Sequence, residues 1–301
     1  MQSSGGFYNV NEENCCGGGG YGYKEERIMK GKFFKDYRIE KISQDEKKFR
    51  NYKYQFGFSN LHPKEMYDTF GREQKARKAL SVLNDYYRGN LEELTVLDIG
   101  CSTGIISHYL SDKFKKVIGI DIDNSAIEYA RGNWQSQNLE FYVRDGMNTG
   151  FDNESFDVVT CAQVYEHVPD SKQLLAEIKR LLKPNGICYF AAGNRLNFLE
   201  GHYKLPFLSV IPKPLAHAYL RILGRGKYYY ENHLTYWGLR RLISQFDFDV
   251  VDYTAKVIYD PKKYSATEMV RQGSFKQKMA ILIIKVAYWL CPTYIWLLRK
   301  K

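Results

Sequence analysis

The sequence is poor in cysteine, and its first residues do not have the charged-then-apolar pattern expected of a signal peptide. Six cysteines among 301 residues give little material for a disulfide framework. Cys15 and Cys16 are adjacent, a spacing that suits neither a C-x-x-C zinc site nor an easy mutual disulfide. Because Cys101, Cys161 and Cys188 fall in or beside apolar runs typical of buried strands, we expect reduced thiols in a cytoplasmic protein.

The sequence also lacks the G-x-G-x-x-G turn with which dinucleotide-binding folds hold a pyrophosphate. In its place, residues 96–104 read V-L-D-I-G-C-S-T-G, a buried-strand pattern that continues through a glycine-bearing turn into a helix. Gly100 and Gly104 give this turn backbone freedom and let a ligand approach closely. Asp98, just ahead of the turn, would repel a pyrophosphate and attract an ammonium group. We therefore expect a cofactor that is cationic at this end.

A second buried-strand pattern, residues 117–121, ends in a carboxylate about twenty residues beyond the glycines. The two oxygens of Asp121 suit the two adjacent hydroxyl groups of an adenosine ribose. Two plainer interpretations stay open, since Asp121 is also a common type of helix cap and Asp98 also suits buried amides. The order and spacing of all these residues together favour the cofactor interpretation.

These motifs resemble those of the class I S-adenosylmethionine-dependent methyltransferases, whose first motif is an acidic residue followed by G-x-G-x-G. Asp98, Gly100 and Gly104 match that motif, and Ser102 stands in place of its middle glycine. In motif order the resemblance covers residues 94–192, with F-D-V-V-T-C at the fourth strand and L-L-K-P-N-G before the fifth. It implies an α/β fold with a doubly wound, mostly parallel seven-stranded sheet, and it implies S-adenosyl-L-methionine as the cofactor.

The resemblance also implies which residues hold the cofactor. Asp121 matches the family's ribose-binding acid, and Asp145 matches the acid that accepts a hydrogen bond from the adenine amine. A plain turn formed by Asp145 and Gly146 is the alternative at that position. The full cofactor-binding set expected from the resemblance is Asp98, Gly100, Cys101, Ser102, Gly104, Asp121, Ile122, Asp145, Gly146, Met147 and Gln163.

A Glu-His pair follows the predicted fourth strand, at the edge of the sheet where ligands of such folds bind. A neutral His167 is suited to take a proton from an acceptor hydroxyl, and Glu166 would stabilise its charged form. Alternatively, the pair only caps and orients its loop. The similar ubiquinone-pathway O-methyltransferases are thought to hold a divalent ion with an acid followed by Glu-His. Because Gln163 replaces that acid here, we expect no metal ion at these residues.

The domain organisation is expected to have three parts. A flexible or loosely packed extension covers residues 1–63, a methyltransferase domain covers residues 64–260, and an amphipathic helical tail covers residues 261–301. Residues 73–87 read as an amphipathic helix that packs on the sheet ahead of the first strand. An inserted helical lid is expected over about residues 194–230, where prolines, apolar residues and cations occur together.

The pattern of the family resumes after the lid, with a helix expected over residues 232–246 and a strand over residues 248–259. Residues 279–298 are almost wholly apolar and aromatic, but a lysine and a proline argue against a membrane span. The two tryptophans of this stretch and the basic residues 299–301 suit a helix on an anionic membrane surface. A helix in the core or in a homodimer interface is the alternative.

The net charge of +10 permits an anionic partner. Nucleic acid is the weaker candidate, because the chain has neither the D-P-P-Y or N-P-P-Y tetrad of nucleic-acid amino-methylating enzymes nor an RNA-binding module ahead of the core. We expect O-methylation of an apolar or membrane-linked small molecule, such as a quinone precursor or a lipid-linked sugar. The alternatives are an RNA methyltransferase and a catalytically inactive cofactor-binding scaffold.

Overall fold

The computed structural model describes residues 54–301, so most of the extension predicted for residues 1–63 lies outside the described residues. Seven strands form a single sheet within the described part of the chain. Their bounds are Thr95–Ile99 (β1), Lys116–Asp121 (β2), Leu139–Val143 (β3), Phe156–Ala162 (β4), Leu182–Gly193 (β5), Phe248–Asp252 (β6) and Thr293–Lys300 (β7).

Helices connect the strands and cover the sheet. Three precede β1: Phe58–Leu61 (α1), Pro63–Met66 (α2) and Thr69–Tyr87 (α3). The helices that follow are Ile105–Ser111 (α4), Asn124–Asn133 (α5), Ser171–Leu181 (α6), Lys213–Ile222 (α7), Tyr236–Ile243 (α8), Thr254–Tyr259 (α9) and Phe275–Ala287 (α10). Short 3₁₀ turns occupy Tyr54–Gly57, Ser244–Phe246 and Tyr288–Leu290. The helix predicted over residues 73–87 is therefore present as α3.

The sheet has the strand order β3-β2-β1-β4-β5-β7-β6, and β7 runs antiparallel to both of its neighbours. The other pairings are parallel. In β1, for example, Val96 lies beside Val117 of β2 on one side and beside Val158 of β4 on the other. The strand order reverses at β1, because the chain continues first to β2 on one side and later to β4 on the other. In open α/β sheets a ligand crevice forms at such a switch point. The predicted fold class is confirmed.

The central strands are buried on both faces, which explains their nearly continuous apolar sequences. Val96, Leu97, Val158 and Val159 are fully enclosed in β1 and β4. The cysteines at positions 101, 161, 188 and 291 are buried free thiols, as expected for the first three from the sequence.

The C-terminal tail differs from its prediction, because the helical part ends at Ala287 and residues 293–300 form a strand inside the sheet. Tyr294, Trp296 and Leu298 on β7 are almost fully buried between the neighbouring strands and helices. The boundary expected at residues 260/261 therefore does not separate a tail from the domain. The composition of residues 293–300 suits either a short buried strand or part of a helix. Their pairing with β5 and β6 in the folded chain makes them a strand.

The closing basic residues, which the sequence assigned to anionic lipid, are paired within the protein instead. Arg299 Nη2 lies 2.6 Å from an Asp249 carboxylate oxygen, and Lys300 Nζ lies 3.0 Å from Glu154 Oε1. Lys301 Nζ lies 3.3 Å from the other oxygen of Asp249. Within residues 54–301, no helix has both the length and the apolar character needed to cross a bilayer.

The structure also changes the predicted N-terminal boundary and the strand over residues 248–259. Residues 54–63 pack on the domain, since the backbone N–H of Ser59 donates to Asp123 Oδ2 at 2.7 Å.

The strand predicted over residues 248–259 ends at Asp252, and Thr254–Tyr259 is the helix α9. The Asp252 carboxylate accepts from the backbone N–H of Thr254 at 2.8 Å and starts this change of direction.

The segment between β5 and α8 contains one helix, α7, and a small core of its own. Leu205 and Leu208, which precede α7, pack with Ala216 and Leu220 on the helix and with Tyr229 beyond it. This insertion is therefore an ordered unit at one end of the sheet.

Candidate active site

A cavity of about 650 Å³ lies at the carboxyl ends of the central strands, where the strand order reverses. Its size falls within the range of ordinary small-molecule sites, roughly 300–1,000 Å³. Residues from β1, β2 and the loop after β4 line one end, and residues of the insertion line the other. The two ends belong to one continuous space, so a bound cofactor and a second molecule have room to meet there.

Asp121, at the end of β2, lines the cavity with a carboxylate held by the backbone. One of its oxygens accepts from the N–H of Ser102 at 2.8 Å, and the other accepts from the N–H of Asp123 at 2.9 Å. Burial raises the pKa of Asp121 to about 6. The plainer interpretation of Asp121 as the cap of the next helix is wrong, because Asp123 caps α5 through the N–H of Ala126. Each oxygen of Asp121 keeps a lone pair for a ribose hydroxyl.

The glycine turn between β1 and α4 is shaped by packing as much as by ligand access. Gly100 and Gly104 both have a left-handed backbone, with φ of 73° and 74°. A Cβ on Gly100 would lie 2.6 Å from a methyl group of Val164, and one on Gly104 would lie 2.7 Å from the Phe141 ring. Ser102, in place of the family's middle glycine, also has a positive φ of 50°. Such a conformation is strained for a side-chain-bearing residue, which explains the glycine in the motif.

Asp98 is buried below this turn, and its carboxylate oxygens accept hydrogen bonds from two hydroxyl groups at 2.6 Å. The donors are Ser107 and Thr160, so the alternative that Asp98 pairs with buried amides is wrong. Burial raises the pKa of Asp98, while these donors and the positive charge of Arg72 oppose the shift. Asp98 lines the cavity and stays available to a cationic group.

Arg72, on α3, reaches the same part of the cavity and is almost completely buried. Its guanidinium donates to the carbonyl oxygen of Glu65 at 3.2 Å and to the sulfur of Met66 at 2.7 Å. Burial lowers the pKa of Arg72, and the nearby charges of Asp121 and Asp98 oppose this shift. Arg72 therefore supplies a fixed cation that suits a carboxylate of a bound molecule.

The predicted adenine segment lines the cavity through Gly146 and the neighbouring Arg144. Asp145 Oδ1 accepts from the N–H of Met147 at 2.8 Å, so this carboxylate closes the turn that was the alternative interpretation. Ile122 and Gln163 line the cavity as expected, and Gln163 has a left-handed backbone at φ 59°. Four predicted cofactor residues lie outside the cavity wall because packing or turn formation occupies them: Cys101, Gly104, Asp145 and Met147.

His167 lies on the cavity wall beyond these residues. Its Nδ1 is 3.3 Å from the amide nitrogen of Gln55, and its ring is 5.2 Å from the ring of Phe58. Burial, with the neighbouring His202 and His233, holds the pKa of His167 well below its usual value. The imidazole is therefore neutral near pH 7.

The predicted support of His167 by Glu166 is wrong. Glu166 is fully buried, and its carboxylate oxygens have no hydrogen-bond partner among the described residues. Burial raises the pKa of Glu166, while the nearby His233 opposes the shift. Glu200, from the insertion, is the carboxylate that raises the pKa of His167 against the effect of burial.

A second group of ionisable side chains lies at this end of the cavity. Glu200, His202 and His233 place their side-chain ligand atoms within 4.8 Å of one another. Glu200 Oε1 is 3.0 Å from His202 Nδ1 and 3.7 Å from His233 Nε2. All three residues line the cavity that also contains Asp121 and His167.

Comparisons with known proteins identify the family. Residues 97–190 match the family model of a methyltransferase domain. The ubiquinone biosynthesis O-methyltransferase of Glaesserella parasuis serovar 5 is 32% identical over 177 residues, which cover 56% of this chain and 71% of that relative. The chain belongs to the class I S-adenosylmethionine-dependent methyltransferases.

A second relative of the same name aligns over a shorter stretch. The ubiquinone biosynthesis O-methyltransferase of Histophilus somni is 32% identical over 151 residues, which cover 48% of this methyltransferase and 60% of the relative. The match spans less than two thirds of the length of most of these curated relatives, down to 46% for the Pasteurella multocida protein.

Two solved structures share the fold of this methyltransferase. A Pyrococcus horikoshii protein aligns with a TM-score of 0.53 at 19% identity over 81% of this chain and 98% of that chain. Magnesium protoporphyrin IX methyltransferase from Synechocystis, with bound SAH, aligns with a TM-score of 0.51 at 13% identity over 83% and 97% of the two chains. At these identities the comparisons show the fold alone.

The residues of the methyltransferase site that sequence reasoning missed include Gln55, Arg72, Glu200, His202 and His233. A signal for Arg72 was present, because positions 72, 76, 79 and 83 share one face of α3 and the other three are buried apolar residues. An arginine on a buried face needs a partner of opposite charge, and here Asp98 and Asp121 provide it. Both histidines lie beyond residue 192, where the resemblance to the family motifs ends, so only the fold brings them to the site.

Proposed function

We propose that the chain binds S-adenosylmethionine in this cavity and transfers its methyl group to an oxygen of an aromatic, membrane-associated small molecule. The observation that supports this most strongly is that Asp121 and His167 line one continuous cavity. In the proposed binding mode, Asp121 accepts from the ribose hydroxyls, Arg72 pairs with the cofactor carboxylate and Asp98 attracts its ammonium group.

The residues present fit this cofactor. Its amino-acid end has one cation and one anion, and the cavity provides Asp98 and Arg72 for them. Its adenosine has two adjacent hydroxyls, and Asp121 offers one lone pair from each oxygen after its backbone hydrogen bonds. The sulfonium supplies an already activated methyl group, so the protein contributes mainly by holding the acceptor in line with it.

The acceptor end of the cavity suits an aromatic hydroxyl compound. Phe58 meets the rings of His167 and His202 at 5.2 and 5.8 Å between centroids, so aromatic faces and edges surround this space. The neutral imidazole of His167 takes the proton that a phenolic hydroxyl loses as its oxygen attacks the methyl group. The relatives named as ubiquinone biosynthesis O-methyltransferases favour a quinone precursor over a lipid-linked sugar.

An exposed apolar stripe on α10 supports a membrane-associated acceptor. Phe275, Met279, Leu282 and Val286 lie on one helical face and are 77%, 40%, 49% and 71% exposed. Lysines at positions 276, 278 and 285 of the same helix match the negative charge of an anionic bilayer surface. The turn after α10 is tied to the cavity, because Asn194 on the cavity wall donates to the carbonyl oxygen of Trp289 at 2.8 Å. We propose that α10 rests on the membrane and brings the cavity close to apolar acceptors.

Transfer of a labelled methyl group tests the proposed reaction. Purified full-length protein is incubated with labelled S-adenosylmethionine and, separately, with phenolic quinone precursors, total lipid extract and total RNA. We expect label in the phenolic compounds and in the lipid fraction. Label confined to RNA would replace this proposal with the RNA methyltransferase alternative.

The role of His167 is tested in the same assay. Loss of a general base slows such a reaction roughly 100-fold or more, so His167→Asn should reduce turnover by that amount. The affinity for S-adenosylhomocysteine, measured by calorimetry, should stay close to that of the unmodified protein, because His167 lies in the acceptor half. Unchanged turnover in His167→Asn would make this residue a part of the wall with no role in proton transfer.

A further inference from the structure

The carboxylate and imidazole groups at the acceptor end have the composition of a transition-metal site. Two imidazoles and one carboxylate occur together at catalytic zinc sites and at related sites of first-row divalent metals. Glu200, His202 and His233 place their ligand atoms within 4.8 Å of one another. Ligand atoms about 2.1 Å from a tetrahedral ion lie about 3.4 Å apart, and the two contacts of Glu200 Oε1 measure 3.0 and 3.7 Å.

Glu200 is fixed in the orientation that a ligand needs. Its Oε2 accepts from the backbone N–H groups of His202 and Tyr203 at 2.8 and 2.7 Å. Its Oε1 consequently points at the two imidazole groups. The backbone of Glu200 is also held, because its N–H donates to the carbonyl oxygen of Leu205 at 3.0 Å. Supported ligands of this kind bind metal ions more tightly than mobile ones.

His233 is fixed by the residues on both sides of it. The N–H of Asn232 donates to the carbonyl oxygen of Glu166 at 2.8 Å, and the N–H of Leu234 donates to the hydroxyl of Tyr165 at 3.0 Å. Gly193 leaves room for the ring, since a Cβ there would lie 3.1 Å from His233 Cε1. The imidazole is therefore placed beside Glu200 by the loop after β4 and by the end of β5.

Two further carboxylates provide an independent indication that a cation binds in this region. Glu166 and Glu231 are almost fully buried, and none of their four carboxylate oxygens has a hydrogen-bond partner among the described residues. Both interact electrostatically with His202, and Glu166 also interacts with His233. A buried carboxylate without a partner is costly, and Glu200 adds a third carboxylate to the same region. A dication beside the imidazoles would offset this negative charge.

We propose that Glu200, His202 and His233 bind one divalent transition-metal ion of the Zn²⁺ type in the acceptor half of the cavity. These ligands differ from the Glu-His pair that follows β4, at which no metal was expected from the sequence. A three-ligand site leaves a coordination position for water or for an oxygen of a second molecule. Only this last role depends on the proposed function, because binding of the ion requires neither cofactor nor acceptor.

Zinc binding by the full-length protein tests the site directly. The purified protein is stripped with a chelator and titrated with Zn²⁺ by calorimetry, and its metal content is measured by mass spectrometry after reloading. We expect one equivalent of zinc and an increase in the thermal unfolding temperature. A hard ion with a preference for oxygen ligands, Mg²⁺, should not compete at the same concentration. Absence of stoichiometric zinc binding overturns the proposal.

Matched variants assign the ligands. Glu200→Gln, His202→Asn and His233→Asn should each weaken zinc affinity by roughly 100-fold. The control is His108→Asn, since His108 stacks on Trp134 at 4.7 Å and does not line the cavity. Full zinc affinity in the His202→Asn, His233→Asn double variant would overturn the assignment and leave the Glu200 to His202 contact as an ion pair only.

A spectroscopic measurement keeps the proposal testable if a variant does not fold. Co²⁺ replaces Zn²⁺ in the unmodified protein, and its visible absorption reports whether nitrogen and oxygen ligands surround the ion with low coordination number. The spectrum of hexahydrated Co²⁺ in the presence of protein would contradict a site of this kind. These measurements remain informative if no methyl transfer is found, so failure of the metal site and failure of the proposed reaction are distinguishable.

Discussion

At the scale of single residues, the proposed role of Asp121 depends on the ionised state of a half-buried carboxylate. Asp121→Ala removes two hydrogen bonds to a charged acceptor, which should weaken binding of 5′-methylthioadenosine by about 3 kcal/mol, roughly 100-fold. Since burial raises the pKa of Asp121 to about 6, binding should also weaken as the pH falls from 7.5 to 5. Calorimetry at several pH values measures both effects.

The probe in this experiment has no amino-acid group, so Asp98 and Arg72 do not contribute to its pH dependence. The exposed Asp112, changed to alanine, serves as the matched control and should leave both affinity and pH profile unchanged. If Asp121→Ala keeps the pH profile of the unmodified protein, another group titrates and the ribose assignment fails.

Arg72 is expected to recognise the carboxylate end of the cofactor and no other part of it. Arg72→Met should therefore weaken binding of S-adenosylhomocysteine by roughly tenfold to 100-fold, since a charge-assisted hydrogen bond is lost. Binding of 5′-methylthioadenosine should change little. The control is Arg77→Met on the same helix, whose side chain is exposed and pairs with Glu73. Equal losses for both ligands in Arg72→Met would indicate that the arginine supports the fold of the site and not the carboxylate.

At the scale of secondary-structure elements, α10 has an apolar face that the rest of the described chain leaves exposed. Leu282 and Val286 lie one turn apart and are 49% and 71% exposed. Leu282→Glu with Val286→Glu should reduce binding to vesicles that contain anionic phospholipid by more than roughly tenfold, because apolar contact is lost and negative charge is added. Flotation of the protein with vesicles measures this binding.

The fold should survive these substitutions because both side chains face outward. Phe70→Glu on α3 is the control, since Phe70 is 68% exposed and lies on another helix. Vesicle binding that resists the double substitution would move any membrane contact away from α10. Truncation of the C-terminus is not a suitable test of this surface, because it would also remove β7.

The sequence predicts an element well when the few neighbouring residues that form a motif also form that element. β1, its glycine turn and Asp121 follow from short patterns, because a buried strand, a tight turn and a carboxylate at the strand end are each read within a few residues. The insertion was located by its prolines and cations. Its metal-type ligands Glu200 and His202 were not predicted, because their partner His233 lies far along the chain and meets them only after folding.

At the scale of the whole molecule, the C-terminus shows why a local pattern is insufficient. Residues 279–298 read as one apolar stretch, but α10 ends at Ala287 and β7 begins at Thr293. The difference arises from β5 and β6, which are separated by a long stretch of chain and require a strand between them to complete their hydrogen bonding. A sequence window of twenty residues contains no information about that requirement.

The position of β7 makes the last part of the chain essential for stability. Trp296 is almost fully buried on β7, whereas Trp289, only seven residues earlier, is 38% exposed. Trp296→Ala should lower the free energy of unfolding by about 3–5 kcal/mol, because a large buried ring is replaced by a cavity. Trp289→Ala should cost much less, since part of that ring already contacts solvent. Urea unfolding followed by circular dichroism compares the two variants, and equal losses would contradict a buried C-terminal strand. A membrane-surface helix over this segment would instead make both tryptophans matter for vesicle binding and neither for unfolding in solution, so the pair of variants separates the two structures.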